Sequence, residues 1–256
     1  MIMYFSATGN TKYCAEFIAG RLNDESIISL NDMMKKNITE INCEGQKRIG
    51  IFSPVYDGDL AYAVSEFIER LKFRNVPEDC YIYGLFTCGS MSGNASERLG
   101  TVLSAKGLKL SAAFVVVMPD NYVLMFPQKS NEKIQSSLKN ADVTLQTVIK
   151  DIEDCKKVFM RRGMKIPSFV MYLIHKFFIP SQRKVKGFTV SNDCIGCGLC
   201  AEVCPMNIIE IRDNRPAWIN DKCACCLSCL HRCPKRAINR QKSEKNGRYL
   251  NPNVKL

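Results

Sequence analysis

Histidine is nearly absent from this sequence, with His175 and His231 the two examples in 256 residues. A Ser-His-Asp or Cys-His centre needs an imidazole beside its nucleophile. His175 falls between the predicted domains and His231 inside a cysteine-rich loop, where hydrogen bonding near a sulfur or contact with water suits it better than a role as base. Asp57 and Asp59, two carboxylates on one turn, read as solvated rather than as a paired acid and base. Long apolar runs are also lacking. The longest, Ile166 to Pro180, is too short to span a bilayer and is broken by His175 and Lys176. The start, MIMYFSATGN, has no basic region before its short apolar run, so no signal peptide is expected and a cytoplasmic location follows. Neither the Gly-Lys-Ser/Thr of a Walker loop nor a Gly-x-Gly-x-x-Gly fingerprint occurs. Acidic residues are in deficit, with 25 Asp and Glu against 36 Lys and Arg and a formal charge of +11. No nucleic-acid module accompanies the basic excess, so nucleic-acid binding is not expected.

Cysteine is what the chain has in quantity, with 14. Cys194, Cys197, Cys200 and Cys204 are followed by Pro205, and the same spacing returns 29 positions later as Cys223, Cys226, Cys229, Cys233 and Pro234. The repeat of C-x2-C-x2-C-x3-C-P exceeds what one zinc knuckle needs and lacks the scatter of a disulfide framework. Cys225 stands out of register beside Cys226 and reads as a packed thiol. Cys14, Cys43, Cys80, Cys88 and Cys155 are scattered, as reduced thiols in a reducing compartment would be.

This stretch, residues 187–240, resembles the two-cluster bacterial-type ferredoxins, a small α+β fold. The resemblance implies that Cys194, Cys197, Cys200 and Cys233 hold one 4Fe-4S cluster and Cys204, Cys223, Cys226 and Cys229 the other, the fourth cysteine of each run reaching across.

The first 155 residues alternate strand and helix patterns. Strands are expected at residues 1–5, Glu25–Leu30, Arg48–Pro54, Cys80–Thr87 and Leu110–Met118, and helices at Asn10–Leu22, Leu60–Lys72, Ala95–Lys106 and Asn131 to about Lys157. This is the pattern of an α/β doubly wound five-stranded parallel sheet. Between the first strand and helix lies Ser6-Ala7-Thr8-Gly9-Asn10-Thr11, hydroxyls and a glycine at a helix N-terminus, which is a recipe for holding phosphate. A capped helix start would also explain it.

The Ser/Thr-x-Thr-Gly-x-Thr phrase is similar to the FMN-phosphate loop of flavodoxins, and the resemblance implies strand order 2-1-3-4-5 with the ligand beyond the strand ends. By the same resemblance, Pro54, Val55, Tyr56, Asp57 and Gly58 form one isoalloxazine loop, with Tyr56 stacking on the ring and Gly58 permitting a peptide flip. Thr87, Cys88, Gly89, Ser90, Gly93 and Asn94 form the other. Met118-Pro119-Asp120-Asn121-Tyr122 leaves strand 5 near the flavin edge.

The whole resembles the flavodoxin-ferredoxin fusion proteins of anaerobic microbes: residues 1–155 binding FMN, 156–186 a basic helical connector, 187–240 carrying two 4Fe-4S clusters, and 241–256 a basic tail expected to be mobile. The connector reads either as packing across the joint between domains or as an amphipathic helix on a membrane surface. Two functions stay open. One is an oxidoreductase whose flavin serves a small-molecule substrate; the other is a pure carrier between protein redox partners, an acidic ferredoxin among them. Anoxic purification is expected to yield about eight iron atoms and a single FMN per chain, and a colourless zinc protein would refute both domain readings.

Overall fold

The computed structural model describes residues 1–22 and 26–256. Five strands form the main sheet: β1 (Ile2–Tyr4), β2 (Ile27–Ser29), β3 (Arg48–Tyr56), β4 (Tyr81–Cys88) and β5 (Ala112–Val117). All neighbours run parallel in the order β2-β1-β3-β4-β5. The Glu25 start of the second predicted strand lies outside the described residues.

Alternation along the strands sends side chains to two separate cores. On one face, Met3, Phe5, Ile49, Ile51 and Phe86 pack under α2 (Tyr62–Arg70) and α3 (Ala95–Ser104). On the other, Ile2, Phe52, Tyr83, Phe114 and Val116 pack under α1 (Asn10–Leu22) and α4 (Asn131–Glu153). Burial on both faces is why β4 is apolar and aromatic along nearly its whole length and β5 reads Ala-Ala-Phe-Val-Val-Val. The sheet is the doubly wound one expected, with a single reversal of strand order at β1 and β3, and the crevice opens there.

Several local elements were not legible. A short helix at Leu30–Lys35 follows β2, and Glu40–Asn42 pairs in parallel with Lys72–Arg74 as a separate ribbon. Residues Asp59–Leu60 fold back antiparallel on the end of β3 through Asp57 (φ 52°) and Gly58 (φ 74°), a two-residue turn of the type that suits strand twist.

The C-terminal unit is two copies of one loop. Phe188–Val190 pairs antiparallel with Ile238–Arg240, and Ile209–Arg212 with Arg215–Trp218. Helical turns Leu199–Glu202 and Ser228–His231 follow the two cysteine loops at the same 29-residue offset as the cysteines. The offset also holds for backbone geometry. Gly196 (φ 67°) and Gly198 (φ 78°) correspond to Cys225 (φ 49°) and Leu227 (φ 58°), so the second copy holds two ordinary residues where the first has glycine. The apparent misregister of Cys225 is thus a side chain added at a left-handed position.

The tail is docked rather than mobile. Tyr249 and Asn251 are 3 % and 2 % exposed. Tyr249 packs in the α1/α4 core and its hydroxyl donates to Asn10 Oδ1 (2.7 Å), while the Asn251 N–H donates to the Thr8 carbonyl (2.8 Å). Two anchors in an otherwise polar stretch leave no apolar period to read, which is why the sequence pattern missed them. Deleting residues 249–256 is expected to cost about 4–8 kcal/mol, from one buried aromatic ring and the four hydrogen bonds of Tyr249 and Asn251; anoxic urea denaturation measures it.

Candidate functional site: an FMN crevice beside the cysteine loops

A cavity of about 320 Å³ opens at the carboxyl ends of β1, β3 and β4, within the ~300–1,000 Å³ range of small-molecule sites. Ser6, Thr8, Asn10 and Thr11 line it, as do Pro54, Val55, Tyr56, Asp57, Gly58, Thr87, Cys88, Gly89 and Ser90. Gly9, Gly93 and Asn94 do not. Gly9 (φ 100°) lies under the tail, where a Cβ would come within 2.7 Å of Val254 Cγ1. Gly93 is pressed against the Gly58 carbonyl, and the Asn94 N–H donates to that carbonyl (2.8 Å). The Asn94 carboxamide holds Ile166 through both N–H and C=O. These two residues brace the loops instead of facing the cavity.

The phosphate end fits its ligand chemistry. No described residue accepts from the backbone N–H groups of Ala7, Thr8, Asn10 or Thr11, which gather at the N-terminus of α1. Asn121 donates to Thr8 Oγ1 (2.7 Å), so the Thr8 hydroxyl proton is left to donate elsewhere. Thr11 and Thr87 share one hydroxyl-hydroxyl bond (2.8 Å), which likewise leaves one proton. Asn10 is different. One Nδ2–H donates to the Pro119 carbonyl and its Oδ1 accepts from Tyr249 and Asn251, so its side chain holds the protein together and keeps one N–H beyond these bonds.

Met118 to Tyr122 now has a physical account. The segment hydrogen-bonds the phosphate loop through Pro119 and Asn121, and the Asn121 carbonyl accepts from His231 Nε2–H (2.9 Å). His231 Nδ1 accepts from the Tyr249 N–H (3.1 Å). Burial pushes the ring down to about 4, so His231 stays neutral with its proton on Nε2. It is therefore neither a base nor in contact with water; it joins three segments. His175 also has a structural role, donating to the buried Asp59 carboxylate (2.8 Å), which in turn accepts from the Leu60 N–H. Asp59 is not solvated as its sequence position suggested.

Tyr56 is half-buried with a tilted contact to Tyr62 at 6.2 Å, and burial raises its phenol well above the ordinary value. The Gly58 carbonyl is occupied by Asn94, leaving the Asp57–Gly58 peptide as the one whose carbonyl no described residue engages. Sequence reasoning missed Tyr62, Met125, Phe126, Gln182, Cys225, Cys226 and Leu227, all of which line the cavity. They come from elements distant in sequence, and no local spacing announces them.

Cys233 crosses from the second run to the first, and Cys204 and Cys200 of the first run lie near Cys229 of the second. Cys194, Cys197, Cys200 and Cys233 line a single small cavity, the last arriving from the second run. Cys204 and Cys226 are electrostatic neighbours of Cys229, and Cys226 of Cys223. Burial pushes Cys226 up to about 12 and Cys229 well above the usual thiol range, so ionising them requires a compensating metal core. Among the described residues, no three His, Cys, Asp or Glu side chains crowd together as a single metal ion would need. Cys225 donates its thiol to the Gln182 carbonyl (2.7 Å) and lies 3.8 Å from Arg240 Nη1. Replacing His231 by Phe should strand the Asn121 carbonyl and Tyr249 N–H at a cost of about 2–4 kcal/mol. Lower FMN affinity with unchanged iron content is the expected signature, read by flavin fluorescence and iron assay.

The family model described as a flavodoxin domain matches residues 1–99. A 4Fe-4S dicluster domain matches residues 193–238, and a second model of that description matches 146–209, beginning inside α4. A ferredoxin-like protein in the nif region of Nostoc is 35% identical over 48 residues, 18% of this chain and 41% of that protein, so the chain spans about two fifths of that curated relative. A Lactobacillus acidophilus flavoprotein solved with FMN shares 18% identity over 44% of this chain and 90% of its own, at a TM-score of 0.34. A Fusobacterium nucleatum flavodoxin bound to FMN shares 12% over 59% and 96%, at 0.35. With TM-scores below 0.5, both resemble the chain only loosely. The chain joins a flavodoxin domain to a 4Fe-4S dicluster domain, and its cofactors are FMN and two 4Fe-4S clusters.

Proposed function

We propose that the chain is a cytoplasmic oxidoreductase in which FMN exchanges electrons with a small molecule while the clusters link it to a protein redox partner. FMN handles two electrons and each cluster one, so the pair supplies conversion between the two kinds of transfer. Ser6, Thr8, Thr11 and the free N–H groups of α1 would hold the phosphate, and residues 54–58 and 87–90 the ring. The observation that carries the reading is the bounded crevice: Gln182 of the connector lines one side, and Met125 and Phe126, beyond Tyr122, line another. A shuttle that only meets other proteins has no need of such walls.

The cysteine sets have different duties. Cys226, of the set with Cys204, Cys223 and Cys229, lines the FMN crevice itself. The set with Cys194, Cys200 and Cys233 lines a separate cavity whose loop exposes Cys197 and Ile195. We assign the first set to the near cluster and the second to the one that meets a partner. The second reading, a pure carrier between proteins, draws support from the exposed Cys197 loop.

Photoreduced protein mixed with quinones, nitro compounds or free flavins should be reoxidised with saturation kinetics. Oxidation by ferredoxins alone would favour the carrier. Cys197→Ala should lose about half the iron and slow exchange with an added ferredoxin, yet leave the rate with the small acceptor unchanged. Equal loss of both rates would refute the assignment.

A further inference from the structure

The connector helix is oriented opposite to what a helix at a domain joint should be. Residues Ser168–Leu173, the single wider turn Ile174–Phe178 and Ile179–Arg183 form one continuous helical run. Met171 and Ile179 are buried, and His175 reaches Asp59 on the same side. A surface helix ordinarily turns polar residues outward. Here the outward residues are Phe169, Val170, Tyr172, Leu173, Phe177 and Phe178, with Phe169 69% and Phe177 63% exposed. The aromatics do not cover the crevice or the cysteine loops, as packing across the joint would require.

We propose that this outer face docks on an anionic lipid surface. Residues 156–186 contain nine Lys and Arg and no Asp or Glu. Of these, Lys156, Arg161, Lys165 and Arg183 are engaged by carboxylates within the protein. Lys176 stands in the middle of the aromatic face, 5.4 Å from the Tyr172 ring and 5.3 Å from that of Phe177. Lys184 and Lys186 follow the helix, and no described carboxylate pairs with any of these three. Apolar rings flanked by cations whose stems reach past them is the arrangement that seats a helix in the headgroup layer, the rings below and the ammonium groups at the phosphates. A protein partner would want hydrogen-bonding groups across the face; between Phe169 and Phe178 the exposed side chains that offer one are Tyr172 and Lys176. No helix among the described residues is long and apolar enough to cross a membrane, so the contact is one of lying on the surface.

The packed side of the helical run, opposite the outer face, borders the crevice. Gly163, ahead of the helix, is close enough to Met91 that a Cβ on it would lie 3.2 Å from Met91 Cβ, and Gln182, at the other end, lines the cavity. The exposed Met91, Met125 and Phe126 also line it. The inference concerns the surface alone and stands whether or not the flavin serves a small molecule.

The test is anoxic co-sedimentation of the holoprotein with vesicles of phosphatidylcholine alone and of phosphatidylcholine mixed with phosphatidylglycerol. Binding to the mixed vesicles, weakened by salt, is expected. The double variant Phe169→Ser and Phe177→Ser should lower the partition constant about tenfold or more, with iron and FMN content unchanged. The variant Lys176→Gln, Lys184→Gln and Lys186→Gln, which leaves the packed side untouched, should lower it and flatten the salt dependence. Wild-type protein that ignores anionic vesicles, or binding that survives both variants, would overturn the proposal. So would a dimer in sedimentation velocity that the serine variant dissolves while vesicles bind nothing, since the occupant would then be a second copy of the chain.

Discussion

The structure depends on one buried side chain, the Asn10 carboxamide. Its donor goes to the Pro119 carbonyl and its acceptor takes Tyr249 and Asn251. Three segments far apart in sequence meet there: the phosphate loop, the exit from β5 and the tail. Left unpaired in that setting, each of these groups would cost about 1–3 kcal/mol, so the network forms as a whole. His231 extends it into the cysteine loop through Asn121 and Tyr249, and Ser228 comes within 3.4 Å of the Ala7 carbonyl. The loop that would hold the FMN phosphate and the loop that carries Cys226 and Cys229 are thereby parts of one hydrogen-bonded body. The spacing between the crevice and the second cysteine loop is thereby set by side chains that are themselves locked.

The same logic explains the contacts elsewhere along the joint. Lys35 at the end of the Leu30–Lys35 helix donates to the Ala201 and Glu202 carbonyls at the end of another helical turn, where unpaired carbonyls need donors. Arg183 pairs with Glu66, lies over the Tyr62 ring and donates to the Cys223 carbonyl. The ferredoxin unit thus has apolar contact with the flavodoxin core too, since Ala224 is buried within it and Met206 and Cys226 pack against it. The left-handed Cys225 and Leu227 sit in this joint, both lining the crevice. In the first repeat a Cβ on Gly196 would come within 2.8 Å of the Asn214 carbonyl oxygen, so that copy needs glycine; in the second the corresponding Cys225 lines the crevice.

The parts of this protein carried by local pattern were legible in the sequence. The Asn10–Leu22 helix, the five strands and the paired cysteine runs each depend on residues within a few positions of one another, so periodicity and spacing report them. Thirteen of the sixteen residues expected around FMN line the crevice; Gly93 and Asn94 were misplaced because a loop's sequence does not tell which of its residues face inward.

What only the tertiary structure decided is how distant segments share polar groups and which surfaces stay uncovered. The docking of the tail rests on Tyr249 and Asn251 meeting a carboxamide some 240 positions away, and no sequence pattern encodes a pairing at that separation. The nearness of Cys226 to the crevice, the neutral His231 and the outward aromatics of the connector are of the same kind. Hydrophobic periodicity, a one-dimensional signal, determines which residues seek burial; three-dimensional packing determines which of them find it, and Phe169 and Phe177 did not.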